Sequence, residues 1–159
     1  MSYAVTLTLA VLRFINLFCA GLIAGGQVFV LLVVLPVMRR WPVAMAVRTH
    51  QMMLFGTPDK YIVPSAIACP LSAIAILLLR QRLNLSSLFD IIGVLSAAGL
   101  TVASVAFAEP LSRRLLECSS EAVPGTYVDV QQRWDRVHAI RTVAALLMMM
   151  SFIIATLTT

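Results

Sequence analysis

A chain of 159 residues is long enough for one domain, but 60% hydrophobic and only 12% charged residues exclude a water-soluble globule. The net charge of +5 comes from arginines clustered between apolar runs, the ordinary signature of membrane topology, and no basic stripe interleaved with aromatics suggests nucleic acid as a partner. Short alternating strands, as a barrel needs, are absent too, so the chain reads as one all-α, polytopic domain over residues 1–159 whose solvent is a lipid bilayer.

The first span is expected over about residues 7–38, broken only by Arg13, Asn16 and Gln27. It exceeds one bilayer thickness and must tilt or project. If it ends near Pro36, Arg39 and Arg40, then Arg13 falls at the opposite interface, where its stem can snorkel, and Gln27 lies near mid-membrane. Arg13, Asn16, Ala20, Ala24, Gln27 and Leu31 share one helical face that should turn inward, and Gly25 and Gly26 beside them permit close approach or a bend. Gln27 at that depth needs a partner, either an interhelical hydrogen bond or a ligand. The N-terminus has no basic region of signal-peptide type, and Phe18 is too large to precede a lipoprotein cysteine, so the chain is read as mature.

Trp41 and Pro42 open a short interfacial helix that carries His50 toward Phe55 and closes at Gly56, Thr57 and Pro58. The second span follows at about residues 61–79, with Pro64 in its first turn and Pro70 placed to bend it. After a tight connection from Arg80 to Ser87, the third span covers about residues 88–108. It carries a ridge of Asp90, Gly93, Ala97, Thr101, Ser104 and Ala108 suited to packing on a neighbouring helix. The polar stretch from Glu109 to Gly125 forms the second long connection, with a turn at Pro124 and Gly125. Thr126 and Asp129 then resemble a capping box that starts the last helix near Tyr127, two turns above its span at about residues 137–157.

The result is a four-helix transmembrane bundle with both long connections on one side. Nine arginines and lysines lie on that side, against Arg80, Arg82 and Arg13 on the other, so the long connections are expected in the cytoplasm and both termini outside. A bacterial inner membrane is the expected location. Cys19, Cys69 and Cys118 show neither disulfide nor metal spacing.

Counting crossings brings the only two histidines, His50 and His138, to one membrane face. On the last helix Trp134, His138 and Arg141 share a face with Ala145 and Met148, so an indole, an imidazole and a guanidinium stand at the mouth of a span. Asp59, Glu109 and Asp135 fall near the same end. A cleft apolar below and polar at its rim suits a lipophilic aromatic molecule. Each residue also has a plainer role: Trp134 an interface anchor, Arg136 and Arg141 topology charges, Asp135 the partner of a nearby arginine, Met148 to Met150 adaptable packing.

RWDRVHAIRT (Arg133 to Thr142), the first span with Gly21 ending at Leu35 and Pro36, His50 with Gln51 before DKYIVP, and the Glu109–Pro110 corner resemble the anthrone oxygenase-like family of small four-helix membrane proteins. The chain departs from that pattern at Glu109 and Ser112, where relatives carry asparagines. The resemblance implies oxidation of a polycyclic phenolic anthrone to a quinone with dioxygen and no cofactor. His138 would then be the base, His50 a second proton carrier and Arg141 the holder of developing negative charge, while Trp134, Gln27 and Glu109 contact the substrate. A bound metal or haem would have only these two imidazoles to use. The alternative is a noncatalytic accessory or scaffolding subunit of a larger membrane complex, or a homo-oligomer, docking through the Asp90 to Ala108 ridge. A transporter is a weaker third reading, since neither an inverted repeat nor a deep acidic pair is visible.

Overall fold

The computed structural model describes residues 3–54, 57–80, 84–117 and 124–159, and all its regular structure is helical. Phe55, Gly56 and Cys118 lie outside the described residues, as do the side chains of Asp59 and Thr126. In order come α1 (Tyr3–Phe29), a π-helical stretch (Val30–Val34), α2 (Leu35–Met38), α3 (Val43–Leu54) and α4 (Thr57–Arg80). They are followed by α5 (Leu85–Ala103), a second π-helical stretch (Ser104–Ala108), α6 (Glu109–Glu117) and α7 (Pro124–Leu157).

Four stretches are long and apolar enough to cross a bilayer: Tyr3–Met38, Ile62–Arg80, Leu85–Glu117 and Tyr127–Leu157. Helix is the only open-ended structure that satisfies its own backbone in lipid, which is why these apolar runs fold as they do. Helix α1 packs on α4 and α7, and α5 packs on the same two, so the bundle closes in the ring order α1, α4, α5, α7. Small residues make that closure tight. Ala20, Ala24, Ala73, Ala97, Ala145 and Ala155 are buried, and Met148 and Phe152 fill the centre among them.

Local rules explain several ends. Asn84 caps α5, its side-chain oxygen accepting from the Ser87 backbone N–H at 2.9 Å. Helix α4 begins at Thr57, four residues before the expected span, because Pro58 fits a first turn where its missing N–H is not needed. The same reasoning corrects the expected turn at Pro124 and Gly125. Both belong to the first turn of α7, whose 34 residues extend about 51 Å, well beyond one hydrocarbon thickness. The polar connection after the third span folds too, because Glu109–Glu117 forms the strongly amphipathic α6 and buries Leu115. Helices α3 and α6 lie on each other and on α7, and Leu35, Met38, Val47, Leu115, Tyr127 and Trp134 form a second core beneath them.

The α1 face expected to turn inward does so, with Arg13, Asn16, Ala20, Ala24 and Gln27 buried. Arg13 takes an ion pair instead of snorkelling: 8% exposed, it donates from both terminal nitrogens to the Asp90 carboxylate at 2.5 and 2.8 Å. Arg80 approaches the same carboxylate at 3.8 Å. Asp90, Gly93, Ala97 and Ala108 are buried, so most of the ridge packs on a neighbouring helix as expected, and that helix is α7 of the same chain, with Gly93 directly under the Phe152 ring. Gly25 and Gly26 make no close approach to another segment: the position a Cβ would take on either is open.

Candidate functional site

The inward face expected for α7 is observed. Trp134, His138, Ala145 and Met148 are buried, and the face continues upward through Gln131 and Tyr127. Trp134 sits between the two histidines. Its ring stacks on His138 with centroids 4.9 Å apart and planes 13° from parallel, and His50 meets it edge-on at 5.1 Å. The indole N–H donates to the Ser112 hydroxyl at 3.1 Å, tying α7 to α6.

His50, brought in by α3, is 1% exposed, and its Nδ1 lies 3.0 Å from the Tyr127 hydroxyl. Burial drives its pKa down from 6.5 to about 4, against the pull of the Asp135 carboxylate and with the help of His138, so the ring is neutral at pH 7. His138 is held differently. Its Nε2–H donates to the Gln27 backbone carbonyl at 3.1 Å, since a carbonyl only accepts, and the buried Nδ1 keeps a lone pair with no partner among the described residues. Thr142 donates to the His138 carbonyl at 2.9 Å.

The Gln27 carbonyl lies just before the first π-helical stretch, and Ser112 lies just after the second. Both stretches touch α7. Such bulges shift the hydrogen-bond register of a helix and cluster at functional sites. No pattern of apolar and polar residues announces them, so sequence reasoning had no signal for this pair.

Beside the stacked rings a cleft of about 640 Å³ opens between α7, α2 and α3. Leu31, Met38, Trp41 and Ala46 supply its apolar walls, and Arg39, Tyr127, Gln131 and Asp135 its polar edge. Asp135 is not the local partner of a neighbouring arginine. Its Oδ2 accepts from Arg39, 96 residues earlier in the chain, through Nε at 3.1 Å and Nη2 at 2.6 Å.

The expected site residues divide into groups. His50, Trp134 and His138 converge but are not among the residues that line the cleft, although Ala139, next to His138 in the chain, is. Arg141 lies one turn below His138, partly buried, its Nε without a partner among the described residues. Gln27 reaches the site through its backbone carbonyl, while its buried side-chain Oε1 is unpartnered among the described residues. Glu109, expected as a substrate contact, is not among the residues that line the cleft. It is exposed on α6 and pairs with Arg113, four residues on, at 3.1 Å, because the amphipathic helix turns its charges outward. Gln131, which lines the cleft, was missed, although its spacing of three residues from Trp134 places it on the inward face. Among the described residues, no three His, Cys, Asp or Glu side chains gather as a metal site would require.

Four apolar helices around an alanine-lined core, capped by a polar cluster and a cleft at one end, define a multi-pass integral membrane protein. The chain belongs to the anthrone oxygenase family, whose pattern matches residues 51–150 and so includes α4, α5, α6 and most of α7. Comparison with curated proteins and with solved structures finds no match.

Proposed function

We propose that the protein is a membrane oxidoreductase that oxidises a lipophilic phenolic or quinone-like aromatic with dioxygen, the substrate lying in the cleft between α7, α2 and α3. Family membership supports the reaction type, and the cleft volume lies within the ordinary range for small-molecule sites. The observation that carries the reading is His138: one ring nitrogen tied to the Gln27 carbonyl, the other bare, on the same helix as the cleft residue Asp135.

The chemistry balances without an added reductant. An activated methylene between two aryl rings gives up a proton, its electron pair spreads onto the ring oxygen, and the anion reacts with dioxygen. One oxygen atom ends on the carbon as a carbonyl and the other leaves with both hydrogens as water. His138, whose ring does not line the cleft, takes the proton through a bridging water, His50 passes it on, and Arg141 offsets the developing negative charge from one turn below, with Trp134 packed between the imidazoles. Removing such a base costs about a hundred-fold or more in rate. His138→Ala should therefore abolish oxygen uptake with an anthrone while the protein still inserts and folds, and unchanged turnover would remove His138 as the base. We further place the long connections in the cytoplasm and both termini outside, on the arginine asymmetry. Reporter fusions at each end test that orientation.

One feature favours a subunit role instead. Gly21 and Gly25, four residues apart on α1, both face open space, as a close helix partner would require. Stable co-purification of a larger membrane complex, together with absent turnover, would favour that reading.

A further inference from the structure

Two polar side chains in the cleft have work left undone. Gln131 and Asp135 sit four residues apart on the same side of α7 and line the cleft together. Both are more than nine-tenths buried, at 8% and 6% exposure. Gln131 Nε2 and Asp135 Oδ1 are each without a hydrogen-bond partner among the described residues. Buried polar atoms are normally satisfied, because desolvation without a compensating bond is costly. Arg39 explains why one carboxylate oxygen stays bare. Its Nε and Nη2 both converge on Oδ2, which fixes the carboxylate and leaves Oδ1 unclaimed. The result is one unclaimed acceptor and one unclaimed donor, a helical turn apart, in a cleft that Leu31, Met38, Trp41 and Ala46 also line.

We infer that Gln131 and Asp135 form a two-point clamp for the polar edge of an aromatic ligand, Asp135 Oδ1 accepting from a ligand hydroxyl and Gln131 Nε2 donating to a ligand carbonyl. This deepens the reading above and rests on it, since it takes the cleft to hold an aromatic molecule. The ligand class follows from the donor set. A carboxylate oxygen accepts but does not donate, so it selects a neutral hydroxyl and rejects the same molecule as a methyl ether or an anion. The amide donor selects an oxygen acceptor, and Trp41 with the aliphatic wall selects a flat apolar body. The clamp orients the substrate, and the proton and electrons of the proposed oxidation pass elsewhere on it.

Binding separates the clamp from the oxidation if the probes are quinones that cannot be turned over. The purified protein in detergent is titrated with 2-hydroxyanthraquinone and with 2-methoxyanthraquinone, read by quenching of tryptophan fluorescence. The wild type should bind the hydroxyl probe about ten-fold or more tightly than the ether, the range expected for a hydrogen bond to a charged acceptor. Asp135→Ala should level the two affinities. Gln131→Leu should weaken both probes alike and keep the preference for the hydroxyl. Ala139→Phe, which fills the cleft, should abolish both.

Equal affinities in the wild type, or a preference that survives Asp135→Ala, would overturn the clamp while leaving the cleft as the ligand site. Binding that survives Ala139→Phe, or no binding of either probe, would overturn the clamp and the cleft reading together. Should Asp135→Ala not fold, Gln131→Leu decides, and unchanged affinity in that variant overturns the proposal. A protein that shows the predicted binding pattern but oxidises no anthrone would retain the clamp and lose the oxidation.

Discussion

The Trp134 indole lies flat against the His138 imidazole and is tethered at its N–H to the Ser112 hydroxyl, so one short contact joins α6 to the buried histidine layer of α7. The tether sets the height and rotation of the ring between His138 and His50. Ser112→Ala would strand the indole N–H and should cost about 1–2 kcal/mol, seen as a lower unfolding midpoint in detergent. Trp134→Phe removes the donor but keeps a ring. In the double variant the two losses should be less than additive, and full additivity would mean that the bond contributes nothing.

Acid should loosen the protein through His50. Its folded-state pKa of about 4 lies below the ordinary 6.5 because burial disfavours the charged ring. The unfolded chain therefore binds the extra proton first, and stability falls as pH drops. The contribution is complete above pH 6.5, declines through the window from 6.5 to 4, and is gone below it, amounting to about 3 kcal/mol. Unfolding midpoints measured across that window should slope steeply in the wild type and much less in His50→Phe.

At the other end of the bundle, Arg13 and Asp90 form a two-pronged ion pair across 77 residues of chain, and the Asp90 side chain is fully buried. Removing one partner leaves a charge without its counterion in an apolar interior. Asp90→Ala should therefore cost about 3–5 kcal/mol, whereas replacing both residues with apolar ones of similar volume should restore most of the loss. Yield of folded protein and the unfolding midpoint distinguish the two. A double variant as weak as the single one would contradict this account.

Gly93 has no room for a side chain. A Cβ there would meet the Phe152 ring of α7 at 2.4 Å. Gly93→Ala should destabilise by about 1–3 kcal/mol through overpacking. Adding Phe152→Leu, which withdraws the obstructing ring, should recover much of that loss. Recovery absent from the double variant would place the strain elsewhere.

The four apolar crossings follow from run length, and the inward face of α7 follows from the 3.6-residue period, both properties of a chain segment considered alone. The number of crossings also puts His50 and His138 toward one end, where they meet Trp134. Partnership is a different kind of information. A period says which face of a helix turns inward, but not which neighbour it meets or at what height. Those depend on ring order, tilt and axial register, which the packing of the alanine faces decides. Asp135 therefore reads as a local partner yet is held by Arg39. Arg13 reads as an inward-facing residue with its stem free to snorkel, yet its partner Asp90, 77 residues on, is visible only in the assembled bundle. The cleft and its unpaired Gln131 and Asp135 arise only once α2, α3 and α7 are assembled. Sequence by itself determined the four spans and the inward faces of α1 and α7, because periodicity and length are local. Only the tertiary structure decided the pairs and the hollow, because both belong to the space between helices.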